Sequence, residues 1–276
     1  MTFNEFLPLL FMGVMGLSLL IYVVLDGYDL GVGLLLPHAA DDEKDTMINS
    51  IGPFWDANET WLVLGVGVLL VAFPKAHGVV LTALYLPVTF MLLGLVLRGV
   101  AFDFRVKVDI AYKALWNRIF FLGSLITSVS QGWMLGSYIT GFSSHWSQLV
   151  FNLGVAITLP FAYTLLASGW LIMKTEGDLI EKSRRWGKIS FWPMLASIAF
   201  ISAMTPLVVP EIFNKWFSFP NIVALAPIPI ASVLCLWGIH HVLSSQRLMD
   251  AGYGWLVFAL TAGVMTLAFM GLAYSQ

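Results

Sequence analysis

Cysteine is nearly absent from this sequence. Cys235 stands alone among 276 residues, which excludes an internal disulfide framework and a metal cluster built on thiolates. Charge is scarce as well. Only 11% of the residues are Asp, Glu, Lys or Arg, against about 25% in soluble domains. No basic residue precedes Lys44. The positive segment of a cleavable signal peptide is therefore missing, and the first apolar run is too long for one. No Walker, G-x-S-x-G or comparable catalytic signature occurs. What fills the sequence is apolar, at 59%. This composition points to an all-α, polytopic membrane protein and excludes an ordinary soluble domain.

Eight segments reach the roughly 20 apolar residues that a membrane span needs: 6–28, 55–73, 79–97, 119–139, 149–173, 189–209, 221–243 and 254–274. Short polar or Pro/Gly-containing links join them, and the longest, 98–118 and 174–188, leave no room for a soluble domain. The expectation is one integral membrane domain over 1–276, built as two four-helix bundles, 1–140 and 141–276. A faint echo of "LDGYDL" in "LASGWLIMK" at the end of the fifth span suggests a duplicated bundle whose second copy lost its charges. Of the 14 Lys and Arg residues, only Lys75 and Lys215 fall on the links of one side. The other 12 lie on the side of the first link, which places that side in the cytoplasm and both termini outside.

Asp26 and Asp29 are the only charged residues between Phe6 and Pro37. As one helix those 32 residues would measure about 48 Å, against a hydrocarbon core of about 30 Å. The helix must overrun the bilayer or bend. The two acids share one helix face, and Gly27 and Gly31 form a G-x-x-x-G pair suited to close helix contact. The acids read in two ways. Either they are an interfacial pair that ends the span, or they are intramembrane carboxyls that share or relay a proton.

The stretch "INSIGPFWDANETW" (48–61) carries Asp56 and Glu59. Pro53 suits a first helical turn with Ser50 or Gly52 near the cap, so both acids would sit where the helix dipole favours them. Their grouping with Asn58 between Trp55 and Trp61, at the depth of Asp26 and Asp29, favours a polar cluster between the first two spans. In "LRGVAFDFR" (97–105), Arg98 either anchors the third span at the inner surface or reaches a carboxylate of that cluster. Arg105 and Lys107 read as anchors. The histidines His38, His77, His145, His240 and His241 fall in links or at span ends. No two from facing helices share a mid-membrane level, so neither haem nor metal is expected between these helices.

Three patterns occur in order: D-G-[FY]-D-x-G-x-G at Asp26 to Gly33, "MINSIGPFWDANETWL" at Met47 to Leu62, and "RGVAFDFR" at Arg98 to Arg105. Together they resemble subunit II of the cytochrome bd-type quinol oxidases, including the cyanide-insensitive branch. The resemblance implies a multi-pass subunit of the bacterial inner membrane, paired with a homologous subunit I that carries haems b and d. The complex would oxidise quinol from the membrane pool, reduce dioxygen to water and serve aerobic electron transport. Subunit II would hold no haem, metal or catalytic residue, and no nucleic acid partner is implied. It would stabilise subunit I and line a cytoplasmic proton-uptake route through Asp26, Asp29, Asp56 and Glu59, with Arg98 as their charged neighbour. A small accessory single-helix subunit and a structurally bound quinone belong to the same expectation. The family has nine spans where eight are counted here, so the ninth helix is expected to be lacking. Two other readings stay open: a stand-alone proton- or cation-coupled transporter, and a subunit in which the acids only pack helices.

Overall fold

Apolar runs of this length have one local way to satisfy their peptide groups in lipid, the helix, and all eight expected segments are helical. The computed structural model describes residues 3–143 and 145–275. Among these, α1 (Phe3–Leu35), α2 (Asp41–Ile51), α3 (Trp55–Ala72), α4 (Pro74–Ala83), α5 (Tyr85–Lys107) and α6 (Ile110–Ile139) form the first half. The second half holds α7 (Trp146–Lys174), α8 (Asp178–Val208), α9 (Pro210–Trp216), α10 (Asn221–Leu225), α11 (Pro227–Ser244), α12 (Gln246–Asp250) and α13 (Trp255–Ser275). Among the described residues, eight helical stretches are long and apolar enough to cross a membrane. They are α1, α3, α5, α6, α7, α8, α10 with α11, and α13.

Helix α1 overruns as one unbroken helix. Its 33 residues give about 50 Å of helix, and both Asp26 and Asp29 lie inside it. The third span starts later than expected, at Tyr85 and not at residue 79. Pro87 has no N–H for a helical bond, and its ring would clash with the carbonyl of residue 83, where α4 ends. The two long links nearly vanish. Helix α5 runs on to Lys107 and α6 starts at Ile110, while α7 and α8 are joined through Gly177 at φ +65°, a left-handed conformation that glycine accepts without strain.

The link before α3 is also a helix. Residues 41–51 form α2, which buries Met47, Ile48 and Ile51 in the cluster around Tyr28, Phe120 and Leu171. Its acidic first turn, Asp41, Asp42 and Glu43, suits the positive end of the helix dipole. Pro53 sits in the turn between α2 and α3, with Phe54 at the cap.

In the first half α1 packs on α3, α5 on α6, and α1 on α6; in the second, α7 packs on α8, α11 on α13, and α7 on α13. The halves meet where α7 lies against α1 and α6. Gly31 makes the closest part of that seam: a Cβ there would stand 2.0 Å from the Tyr163 carbonyl oxygen and 2.6 Å from the Ala167 Cβ. One turn earlier Gly27 faces the Tyr163 ring. Beside them Tyr28 of α1 stacks on Trp170 of α7, with centroids 4.2 Å apart and planes 15° from parallel. Each of these rings follows a glycine, Gly27 in "LDGYDL" and Gly169 in "LASGWL".

Candidate functional site: a buried carboxylate and arginine cluster

The face of α1 that carries Asp26 and Asp29 is enclosed by its neighbours, and both acids are fully buried. Arg98 is buried with them. It projects from the buried face of α5, between Ala101 and Gly94, and Gly94 is pressed against Gly123 and Thr127 of α6. Its Nη2 lies 2.6 Å from Asp26 Oδ1 and also contacts Glu59 Oε1 of α3. One guanidinium thus joins carboxyls from two other helices.

Asn58 explains how Asp29 is held. Its buried side-chain amide donates to Asp29 Oδ2 and to the Tyr28 hydroxyl, both at 2.8 Å. The cluster is underbonded all the same. Among the described residues no protein group gives either oxygen of Asp26 a well-aligned hydrogen bond, and none pairs with Asp29 Oδ1, Arg98 Nε or Arg98 Nη1. The short Arg98–Asp26 contact is therefore an ion pair lacking hydrogen-bond alignment. Buried polar atoms in such a state are uncommon, and ionisable groups inside a span mark functional positions by default.

The cluster has an open end and a closed end. The Glu59 side chain is 26% exposed, so the ion pair reaches the protein surface along α3. On the other side Tyr22 stands one turn before Asp26 on α1. Tyr163 of α7 donates to Gln131 Oε1 of α6 at 2.6 Å, and Gln131 Nε2 donates to the Tyr22 hydroxyl at 2.7 Å. The Tyr22 proton is then free to point along α1 toward the carboxylate of Asp26.

Of the five expected site residues, Asp26, Asp29, Glu59 and Arg98 come together. Asp56 does not: its side chain is exposed and makes no ion pair among the described residues. The residues that complete the site are Asn58, Tyr22, Tyr28, Gln131 and Tyr163. Gln131 carried a signal, being the only amide or charged side chain between residues 119 and 139. Tyr22 and Tyr28 lie on α1 beside the acids, whereas Tyr163 carried no signal, because its partner Gln131 sits on another helix.

A second ionic group lies at the α2 end. Arg105, expected as an anchor, is buried because Asp45 of α2 sits 2.6 Å from its Nη2 and its Nε donates to Asn117 Oδ1 at 2.6 Å. Lys113 also reaches Asp45, at 3.3 Å. Lys107 remains exposed. On the far side of α2, Lys182 of α8 pairs with Glu43 at 2.6 Å. The Lys182 hydrogen bond holds the Glu43 carboxyl below the usual carboxylate range. Burial pushes Asp45 up, but bonds from Arg105 and Lys113 outweigh it and leave Asp45 lowered as well. These pairs strap α2 to both halves of the protein.

No three His, Cys, Asp or Glu side chains among the described residues are placed to hold a metal ion. The chemistry available at the main cluster is proton exchange. Three carboxyls against one guanidinium leave uncompensated charge when all are ionised, and proton uptake relieves it.

The chain is similar to known proteins in both sequence and fold. The family model for cytochrome bd terminal oxidase subunit II matches residues 7–276. Cytochrome bd ubiquinol oxidase subunit 2 of Bacillus subtilis (strain 168) is 35% identical over 196 residues, covering 65% of this chain and 57% of the relative. Cytochrome bd-I ubiquinol oxidase subunit 2 of Escherichia coli (strain K12) is 25% identical over 259 residues, covering 88% of this chain and 64% of the relative. The chain thus spans about three fifths of the length of these relatives. In fold it is similar to a chain of the bd oxidase from Geobacillus thermodenitrificans, with a TM-score of 0.79 and 16% identity, covering 98% of this chain and 84% of the other.

Proposed function

The chain belongs to the cytochrome bd terminal oxidase subunit II family, and on that premise we propose that it is the haem-free subunit of a quinol:dioxygen oxidoreductase of the bacterial inner membrane. In this reading it stabilises a haem-bearing subunit I and supplies that partner with protons from the cytoplasm. The observation that carries the reading is the burial of Arg98 between Asp26 and Glu59. A helix-packing contact has no need of three acids around one guanidinium.

The proton route begins at the surface of α3. Asp56 is exposed and stands three residues before Glu59, on the same side of the helix. It collects protons for the partly exposed Glu59. Arg98 holds Glu59 and Asp26 against the same nitrogen, so a proton arriving at one carboxyl weakens its hold on the guanidinium and strengthens that of the other. Asp29, fixed by Asn58, is a further acceptor one turn beyond Asp26. The cytoplasmic placement of this mouth, with periplasmic N- and C-termini for eight spans, is supported by the 12 Lys and Arg residues on its side.

In this reading the chain itself holds no haem. Haems b and d on the partner would supply the electron transfer and the reduction of dioxygen. Subunit I, the surrounding lipid and the quinol pool are the proposed partners. A small accessory subunit and a bound quinone complete the proposal. The matching neighbour pattern in residues 1–140 and 141–276, and the Tyr28–Trp170 stack across them, support an organisation as two four-helix bundles.

The test is to purify the chain with whatever it binds, record a reduced-minus-oxidised optical spectrum, and measure quinol-dependent oxygen uptake. Haem bands together with oxygen uptake are expected. A complex without haem protein, or transport by the lone chain in liposomes, would replace this reading.

A further inference from the structure

Helices α8 and α11 leave between them a groove of about 200 Å³, lined by Lys188, Phe191, Trp192, His240, Leu243 and Ser244. A groove of this size is on the scale of a head group and not of a protein segment. It lies far from the carboxylate cluster in the chain and shares no residue with it.

The groove is cationic without compensation. No acid lines it, and neither Lys188 nor His240 forms an ion pair among the described residues. Arg185, three residues before Lys188, is exposed and also unpaired. Arg184 next to it is not available to a ligand. It is buried, donates Nε to the Leu243 carbonyl at 2.7 Å, and bonds Glu181 and Gln246. The internal demand for positive charge at this end of α8 is thus met by Arg184.

The other wall of the groove is apolar and aromatic. Phe191 and Leu243 are buried at its base. The His240 ring is held between Phe191 and Trp192, with centroids 5.4 Å and 5.8 Å away. Trp192 is 60% exposed, and Trp237, three residues before His240, is 65% exposed. Exposed tryptophans of a spanning helix sit at head-group level. His240 is four residues from the end of α11 and Lys188 ten from the start of α8, both in the halves of these helices toward the side that carries the excess of Lys and Arg. Basic pockets between spans on that side suit lipid phosphates.

We propose that this groove binds the phosphodiester of an anionic glycerophospholipid from the cytoplasmic leaflet. The Lys188 ammonium and an N–H of His240 donate to phosphate oxygens, the Ser244 hydroxyl serves the glycerol or head-group oxygens, and the acyl chains leave along Phe191 and Trp192. The site depends on the chain spanning a membrane and not on its role in an oxidase.

The experiment uses the chain purified with its natural partners, washed in detergent and examined by native mass spectrometry after addition of phosphatidylglycerol or phosphatidylcholine. The wild type is expected to retain phosphatidylglycerol in preference to phosphatidylcholine. Lys188→Gln combined with His240→Gln is expected to weaken that retention at least tenfold, while Lys107→Gln, at another exposed and unpaired lysine, leaves it unchanged. All three sites are exposed, and unchanged circular dichroism confirms that the variants fold. Equal retention by the double variant, equal retention of phosphatidylcholine, or displacement of the lipid by inorganic phosphate at equal concentration would each overturn the proposal. So would a polypeptide cross-linked to Lys188 in the lipid-free complex.

Discussion

Arg98 and Asp26 meet at 2.6 Å with each side chain about 1% exposed. A pair this deep is held by what surrounds it, since each charge alone would be uncompensated in a medium of low dielectric. Removing one partner of a buried pair costs about 3–5 kcal/mol, whereas removing both is far milder. Arg98→Gln is therefore expected to lower the thermal midpoint of the purified complex more than Asp26→Asn does. Adding Asp26→Asn and Glu59→Gln to Arg98→Gln is expected to recover part of the loss. Additive losses would show that the guanidinium and the carboxyls do not interact.

The seam between the two halves depends on Gly31. A methyl group there meets the Tyr163 carbonyl at 2.0 Å, a backbone atom that cannot rotate away. Overpacking of this kind costs about 1–3 kcal/mol or more. Gly31→Ala is expected to destabilise the chain, whereas Gly67→Ala, with nothing within 4 Å of its added Cβ, is expected to be neutral or mildly stabilising. Thermal unfolding of the two variants side by side checks this.

The docking of α2 is expected to depend on pH only in acid. Glu43 and Asp45 are both held below their ordinary values by cations. A carboxyl lowered on folding contributes stability above its unfolded value, near about 4. That contribution is lost as pH falls through the lower folded value. Amide hydrogen exchange at Met47 and Ile48, corrected for intrinsic rates, is expected to be flat from neutral pH to about 5 and to accelerate below about 4. Asp45→Asn with Glu43→Gln removes the acid dependence.

The spans and the acids were legible because their signals are local. A twenty-residue apolar run declares itself, and so do two aspartates isolated within one. Arg98 was legible as a charge at the end of such a run. What stayed hidden depends on pairings between distant residues. Arg105 reads as an anchor until Asp45, sixty positions away, is seen beside it. Helix α2 buries only three apolar residues, too few to stand out from a polar link. Asp56 and Glu59 look equivalent in the sequence, yet only Glu59 reaches Arg98.

Gln131 is the centre of a chain that links α6 to α1 and α7. Replacing it with Leu strips partners from two buried tyrosine hydroxyls, and each unsatisfied group costs about 1–3 kcal/mol. Gln131→Leu is expected to destabilise the protein more than Tyr163→Phe, and the triple variant with Tyr22→Phe and Tyr163→Phe is expected to be milder than Gln131→Leu alone. Chemical or thermal unfolding of the series decides it.

The central claim is that the Asp26 and Glu59 carboxyls carry protons consumed in a partner subunit. The direct measurement is quinol-dependent oxygen uptake by purified complexes of Asp26→Asn and Glu59→Gln, each normalised to haem content. Both changes are close in shape, and loss of a positioned proton donor slows turnover by roughly 10²- to 10⁴-fold in other systems. The expected result is normal haem bands with oxygen uptake reduced at least about tenfold. Wild-type turnover per haem in both variants would contradict the account and leave the cluster a purely structural contact.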